Sequence, residues 1–241
     1  MKYAYCTLAI GDAYLQSAIE FANQANIYSA NNHHVIVAGY NEHPTTPMNT
    51  TLINVSKDTK VFNGVLQNMF NYNLKYFPLK AACEMGYDYI VLHDSDWRIL
   101  PTYKEQYLYN LIQLMVDTES DICFERPHRI GDGKHNVDGK CFWHHKVDFY
   151  KLLDTTIYDE GHVMNEQFVV FKNSEKLKLF CDTWEQLYLR SADGDIWAYA
   201  EGVEMGMSMA VSTMKSLYMP YHYMTECYEF TTPGGIVCTR F

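Results

Sequence analysis

Two aspartates, Asp94 and Asp96, stand one residue apart at the end of a short apolar run in residues 87–100, YDYIVLHDSDWRIL. Two carboxylates this close repel each other in a half-buried site unless a cation lies between them, and hard oxygen ligands suit Mg²⁺ or Mn²⁺. The chemistry implied is a divalent metal carrying a phosphate-containing substrate. Composition alone supplies about one D-x-D triplet in a chain of this aspartate content, so context has to decide. The second triplet, Asp193-Gly194-Asp195, has no strand before it and reads as a solvated turn. The first is preceded by Tyr89, Ile90, Val91 and Leu92, an unbroken apolar, β-prone run of the kind found in strands buried on both faces of a parallel sheet. Ligands of open α/β sheets bind at the carboxyl ends of such strands, which is where Asp94 and Asp96 fall.

The flanking elements must then hold that strand in a sheet. Residues 2–10 read as a first strand, Gly11-Asp12 as a capping turn, and residues 14–26 (YLQSAIEFANQAN) as a helix with apolar positions at helical spacing. Residues 34–40 form a second strand, and residues 51–55 a weaker candidate. A helix over 75–85 stops at Gly86 and feeds the aspartate strand. Residues 103–118 look helical, 121–124 like a short strand, 165–172 (NEQFVVFK) like another, and 174–190 like a helix with Ser174 at its N-cap. Residues 201–215 predict a further helix, with Met205, Met209 and Met214 as core filling, and residues 218–241 an extended tail. This order predicts an α/β fold with a mainly parallel, three-layer sheet over the first 125 residues, with residues 1–241 forming one domain, 1–125 its binding half and 126–241 its acceptor-binding half and tail. Residues 126–151, rich in His, Lys, Arg and Gly without periodicity, read as an acceptor-binding or lid loop, since long loops inside compact domains are usually functional.

Composition narrows the class. Apolar residues make up 48% and charged residues 20% of the 241, which is the balance of a globular chain able to bury a sizeable core. Twenty tyrosines and twelve phenylalanines supply core and surfaces on which bases or sugars could stack. A formal charge of −10 argues against nonspecific gripping of nucleic acid through a basic face. The seven cysteines are odd in number and show no C-x-x-C pair, so free thiols in a reducing cytoplasm are expected rather than a disulfide framework or zinc ribbon. No apolar run approaches the roughly 18 residues of a membrane span, and Gly11-Asp12 cuts the opening run too soon for a secretory signal.

Several common chemistries lack their motifs. There is no G-x-G-x-x-G after the first strand, no G-x-x-x-x-G-K-[ST], and no G-x-S-x-G elbow. Haloacid dehalogenase-like phosphatases also end a buried strand with an aspartate pair. Their D-x-D-x-T lies near the first strand, however, whereas Trp97-Arg98 follows here and the motif ends a later strand.

The blocks YAYCTLAIGDAYLQSA, LKAACEMGYDYIVLHDSDW, NEQFVVFKNSEKLKLFCDTWEQL and AEGVEMGMS together resemble the GT-A glycosyltransferases, in the right order over most of the chain. They are similar to that family's nucleotide-recognising first strand, its lead helix with D-x-D strand, its post-acceptor strand and helix, and its acidic helix start. The resemblance implies a GT-A-like α/β/α sandwich that transfers a sugar from a nucleoside-diphosphate sugar, a UDP-sugar foremost, to an acceptor hydroxyl. It further implies that Asp96, with Asp94 directly or through ribose and water, holds Mn²⁺ or Mg²⁺, which stabilises charge on the departing nucleotide. Ser95 would lie against the ribose, Thr7, Leu8, Ala9 and Tyr14 would contact the base, and Lys80 on the lead helix would neutralise phosphate. His222 of MPYHYM would be a third metal ligand, and it lacks the glycine and lysine neighbours seen in some members.

An in-line transfer also needs a base for the acceptor proton. Glu204, three residues after Glu201 at a helix start, is the favoured carboxylate, and Glu166 of NEQF is its rival. A retaining enzyme would need neither. The acceptor is a glycan or lipid-linked sugar by default, with a protein or a modified DNA base as further options. Two other classes stay open, a metal-dependent phosphatase and a non-catalytic nucleotide-sugar-binding module.

Overall fold

The computed structural model describes residues 1–29, 32–40, 42, 44–55, 74–124, 128–129, 136–137, 140–141, 162–163, 167–193, 212–219, 228–231 and 237–238. In chain order the elements are β1 (Tyr3–Ile10), α1 (Asp12–Tyr28), β2 (His33–Gly39), β3 (Thr50–Asn54), α2 (Tyr76–Glu84), β4 (Tyr89–His93), β5 (Trp97–Ile99), α3 (Glu105–Asp117) and β6 (Ile122–Phe124). Four two-residue strands follow: β7 (His128–Arg129), β8 (Asn136–Val137), β9 (Lys140–Cys141) and β10 (His162–Val163). β11 (Phe168–Lys172), α4 (Glu175–Asp193), β12 (Ser216–Tyr218), β13 (Tyr228–Thr231) and β14 (Val237–Cys238) complete the order.

The result is a mixed α/β protein built on a seven-stranded sheet, ordered β12-β6-β11-β4-β1-β2-β3, with four helices among the described residues. The sheet is mostly parallel; β11 alone runs against its neighbours, β4 and β6. From β1 the chain adds β2 and β3 on one side and then returns to place β4 on the other. The strand order therefore reverses between β1 and β4, which are paired in parallel with Cys6 opposite Leu92. A crevice at the carboxyl ends of strands opens at such a reversal.

The helices form where their apolar residues recur at helical spacing. Leu15, Ala18, Ala22 and Ala25 line α1, Tyr76, Leu79, Ala82 and Cys83 line α2, and Leu177, Phe180, Cys181 and Trp184 line α4. Alternate strand residues feed separate clusters, because side chains on a strand point to opposite faces. Cys6, Leu8, Ile90, Leu92, Val169 and Phe171 pack with α2 and α4, whereas Tyr3, Tyr5, Val91 and Val170 pack with Phe21 of α1 and with Leu108, Leu111, Ile112 and Met115 of α3. Helix ends follow local chemistry. Ser174 caps α4, its hydroxyl oxygen accepting the Leu177 N–H at 3.4 Å, and α2 stops where Gly86 takes a φ of +74°.

Two expectations need correction, and one strand was not expected. The helix predicted over 201–215 does not reach its expected end: Thr213 sits at φ +53°, and Ser216–Tyr218 is an edge strand paired with β6. Residues 201–211 lie outside the described residues. The tail is not simply extended either, because β13 pairs antiparallel with both β5 and β14. Finally, Trp97–Ile99, passed over in the sequence, is the strand that receives it. Met214 fills the core as expected and is 8% exposed.

Candidate functional site

The D-x-D segment is a tight turn bound from beneath. The Trp97 N–H donates to the Asp94 carbonyl at 3.4 Å, closing a four-residue reversal with the carboxylates at its first and third positions. The Asp94 N–H donates to the Gln167 carbonyl at 3.0 Å, tying the turn to the residue before β11. His93 donates from Nδ1 to the Asp94 carbonyl at 2.8 Å, and Thr7 Oγ1 donates to the His93 carbonyl at 2.7 Å. A carbonyl only accepts, so His93 must carry its proton on Nδ1. Its ring stacks on Phe21 with centroids 4.0 Å apart, and burial lowers its pKa to about 4, leaving it neutral. These hydrogen bonds and the buried His93 ring hold the backbone of the turn.

Around those carboxylates the electrostatics are unbalanced. Asp96 is buried, and desolvation followed by repulsion from Asp94 pushes its carboxyl up to about 6. Asp94 is bound by the ammonium of Lys75, a residue only 5% exposed, just before α2. The topology explains this meeting. A helix leading into a parallel strand runs antiparallel to it, so the first residues of α2 lie at the carboxyl end of β4.

The structure distributes the sequence-predicted residues unevenly. Asp94, Ser95 and Asp96 come together at the reversal point, with Ser95 6% exposed. Thr7, Leu8 and Ala9 are all core residues: the Thr7 hydroxyl is spent on His93, Leu8 packs toward α2 and α4, and Ala9 packs toward α1. Tyr14 lies partly buried against the cluster that holds Ala9 and Leu15. Lys80 is engaged by Asp182 at 2.9 Å and Glu185 at 2.7 Å on α4, which raise its pKa, and the cation on Asp94 is Lys75 instead. Glu166, Glu204 and His222, with most of the 126–151 loop, lie outside the described residues. Of Asp193-Gly194-Asp195, only Asp193 is described, as the last residue of α4.

No protein-family model matches this chain, and none of the curated proteins is significantly similar to it in sequence. What the site can do rests on its own chemistry. Two hard carboxylates on a fixed turn are a donor set that suits Mg²⁺ or Mn²⁺ and would leave its remaining positions to substrate and water oxygens. Among the described residues no group of three metal-ligating side chains is assembled. Among the described residues, Asp94, Asp96 and Lys75 together carry one net negative charge when ionised.

Proposed function

We propose that this protein is a GT-A-like glycosyltransferase, an α/β/α sandwich that binds a nucleoside-diphosphate sugar at the β1/β4 reversal and transfers its sugar to an acceptor hydroxyl. The observation that carries this reading is the D-x-D turn, fixed at the strand-order reversal and faced by a buried ammonium. The paired helices on alternating strand faces support the three-layer arrangement. Asp94 and Asp96 would hold Mn²⁺ or Mg²⁺, which when bound supplies Lewis-acid neutralisation of the diphosphate leaving group.

The chain's own groups do the rest. Lys75 takes the phosphate-neutralising part that the resemblance gave to Lys80, because among the described residues it is the cation paired with Asp94 at the carboxyl end of β4. Burial of Ser95, Asp96 and Trp97 keeps the floor of the site dry, which strengthens every charge interaction above it. Glu204, or Glu166, would take the acceptor proton if attack is in line. The loop over 126–151 would hold the acceptor, and a UDP-sugar is the first donor to try.

Mn²⁺-dependent binding of UDP-sugars, read by calorimetry and thermal shift, tests the reading. Asp96→Ala should lower it at least a hundred-fold with the circular-dichroism spectrum unchanged, and undiminished binding would remove the aspartates from the site. Phosphate release from generic phosphoesters would turn the assignment to a phosphatase. Donor binding with neither transfer nor hydrolysis would make the chain a binding module.

A further inference from the structure

The carbonyl of Asp94 accepts two hydrogen bonds, the Trp97 N–H at 3.4 Å and the Nδ1 proton of His93 at 2.8 Å, one for each of its lone pairs. That carbonyl belongs to the planar peptide joining Asp94 to Ser95, and Asp96 follows one residue later. A rotation of this peptide would turn the chain between the two aspartates and change the angle between their side chains. The bond from Trp97 is long for an N–H donor, so the shorter His93 contact is the firmer hold on the peptide.

The imidazole is itself held by its neighbours. It lies on Phe21 of α1 with centroids 4.0 Å apart and meets Tyr5 edge-on at 5.9 Å, while the His93 backbone carbonyl accepts the Thr7 hydroxyl at 2.7 Å. His93 is 1% exposed, among aromatic rings that a phenylalanine would join without the cost of burying polar nitrogens. Packing alone therefore does not account for an imidazole at this position, and the bond to Asp94 does.

We propose that His93 is a positioning residue for the aspartate pair: its Nδ1–H pins the Asp94–Ser95 peptide and so sets the directions in which Asp94 and Asp96 present their carboxylates to a divalent ion. It acts through the backbone rather than by contact with metal or substrate. The inference rests on the metal- and donor-binding reading above and adds to it the side chain that fixes the ligand geometry.

Two substitutions separate the hydrogen bond from the ring. His93→Phe keeps a flat ring on Phe21 and removes the donor, whereas His93→Asn loses the ring and keeps an N–H donor, its Nδ2, in reach of the same carbonyl. In urea melts followed by circular dichroism, packing should make His93→Phe the more stable of the two. Mn²⁺ affinity, titrated by calorimetry with UDP in excess, should run the other way. It is expected to be at least about ten-fold weaker than wild type in His93→Phe, the worth of one hydrogen bond to a buried group, and less than about three-fold weaker in His93→Asn. Affinities that follow the stability order, or a smaller loss in His93→Phe, overturn the positioning role. A larger loss in His93→Asn overturns it too, which keeps the idea open to refutation should His93→Phe fail to fold. Mn²⁺ binding that is lost in Asp96→Ala but undiminished in His93→Phe removes His93 alone. Wild type that binds no Mn²⁺ with UDP present removes the donor reading, and the positioning role with it.

Discussion

At the scale of single residues, Asp96 carries a charge that burial and a neighbouring carboxylate oppose. Asp96 is buried beside Asp94, and its carboxyl is pushed up to about 6, so at neutral pH the folded protein keeps an anion that water would solvate better. Asp96→Asn removes that anion at nearly constant volume. In chelator at pH 7.5 this variant is expected to be more stable than wild type by about 2 kcal/mol in urea melts, while losing Mn²⁺ binding. A destabilised Asp96→Asn protein would mean that the carboxylate serves structure instead. The two lysines of the α2 segment make the complementary point. Five residues apart, they differ by about 140° in direction and about 7.5 Å in height along a helix, so only one can face the end of β4. Lys75 does, and Lys80 faces Asp182 and Glu185.

Elements were largely readable where the pattern was local. β1, β2, β4, β11 and helices α1 to α4 lie within two or three residues of their expected bounds, because apolar period, caps and Gly86 all act within a few residues. Gly86 earns particular weight, since its φ of +74° is left-handed and an added Cβ would meet nothing within 4 Å. Gly86→Ala should therefore cost about 1–2 kcal/mol through backbone strain alone, seen as a lower urea midpoint with Mn²⁺ affinity unchanged. The misread segments are those whose partners are far away in sequence. Trp97–Ile99 is too short and too mixed to announce a strand, and it becomes one by pairing with Tyr228–Thr231. Ser216–Tyr218 similarly becomes a strand only because β6 offers it an open edge.

Across the whole molecule, a neutral imidazole in the core links stability to pH. His34 is 2% exposed, stacked on Tyr5, and hydrogen-bonded through Nε2 to Asn32 at 3.1 Å; burial, with His93 and His33 nearby, lowers its pKa to about 3. Its folded pKa lies below the unfolded value near 6.5, so between those values the unfolded chain binds more protons. That contribution to stability is intact above about pH 6.5 and is lost as acid is added. On going from pH 7.5 to 5.5, His34→Gln should lose about 1.4 kcal/mol less than wild type in urea melts. Equal losses would mean that His34 is not held neutral.

The amino-acid order was enough for the α/β class and for most element bounds, because these depend on near neighbours along the chain. It could not say that Thr7 is spent on His93, 86 positions away, that Lys80 is drawn to Asp182, 102 positions away, or that Lys75 is the cation on Asp94. Those outcomes depend on which side of β1 the chain returns to and which end of a helix meets which end of a strand. Such choices are made by packing the whole sheet, and no window of sequence contains them.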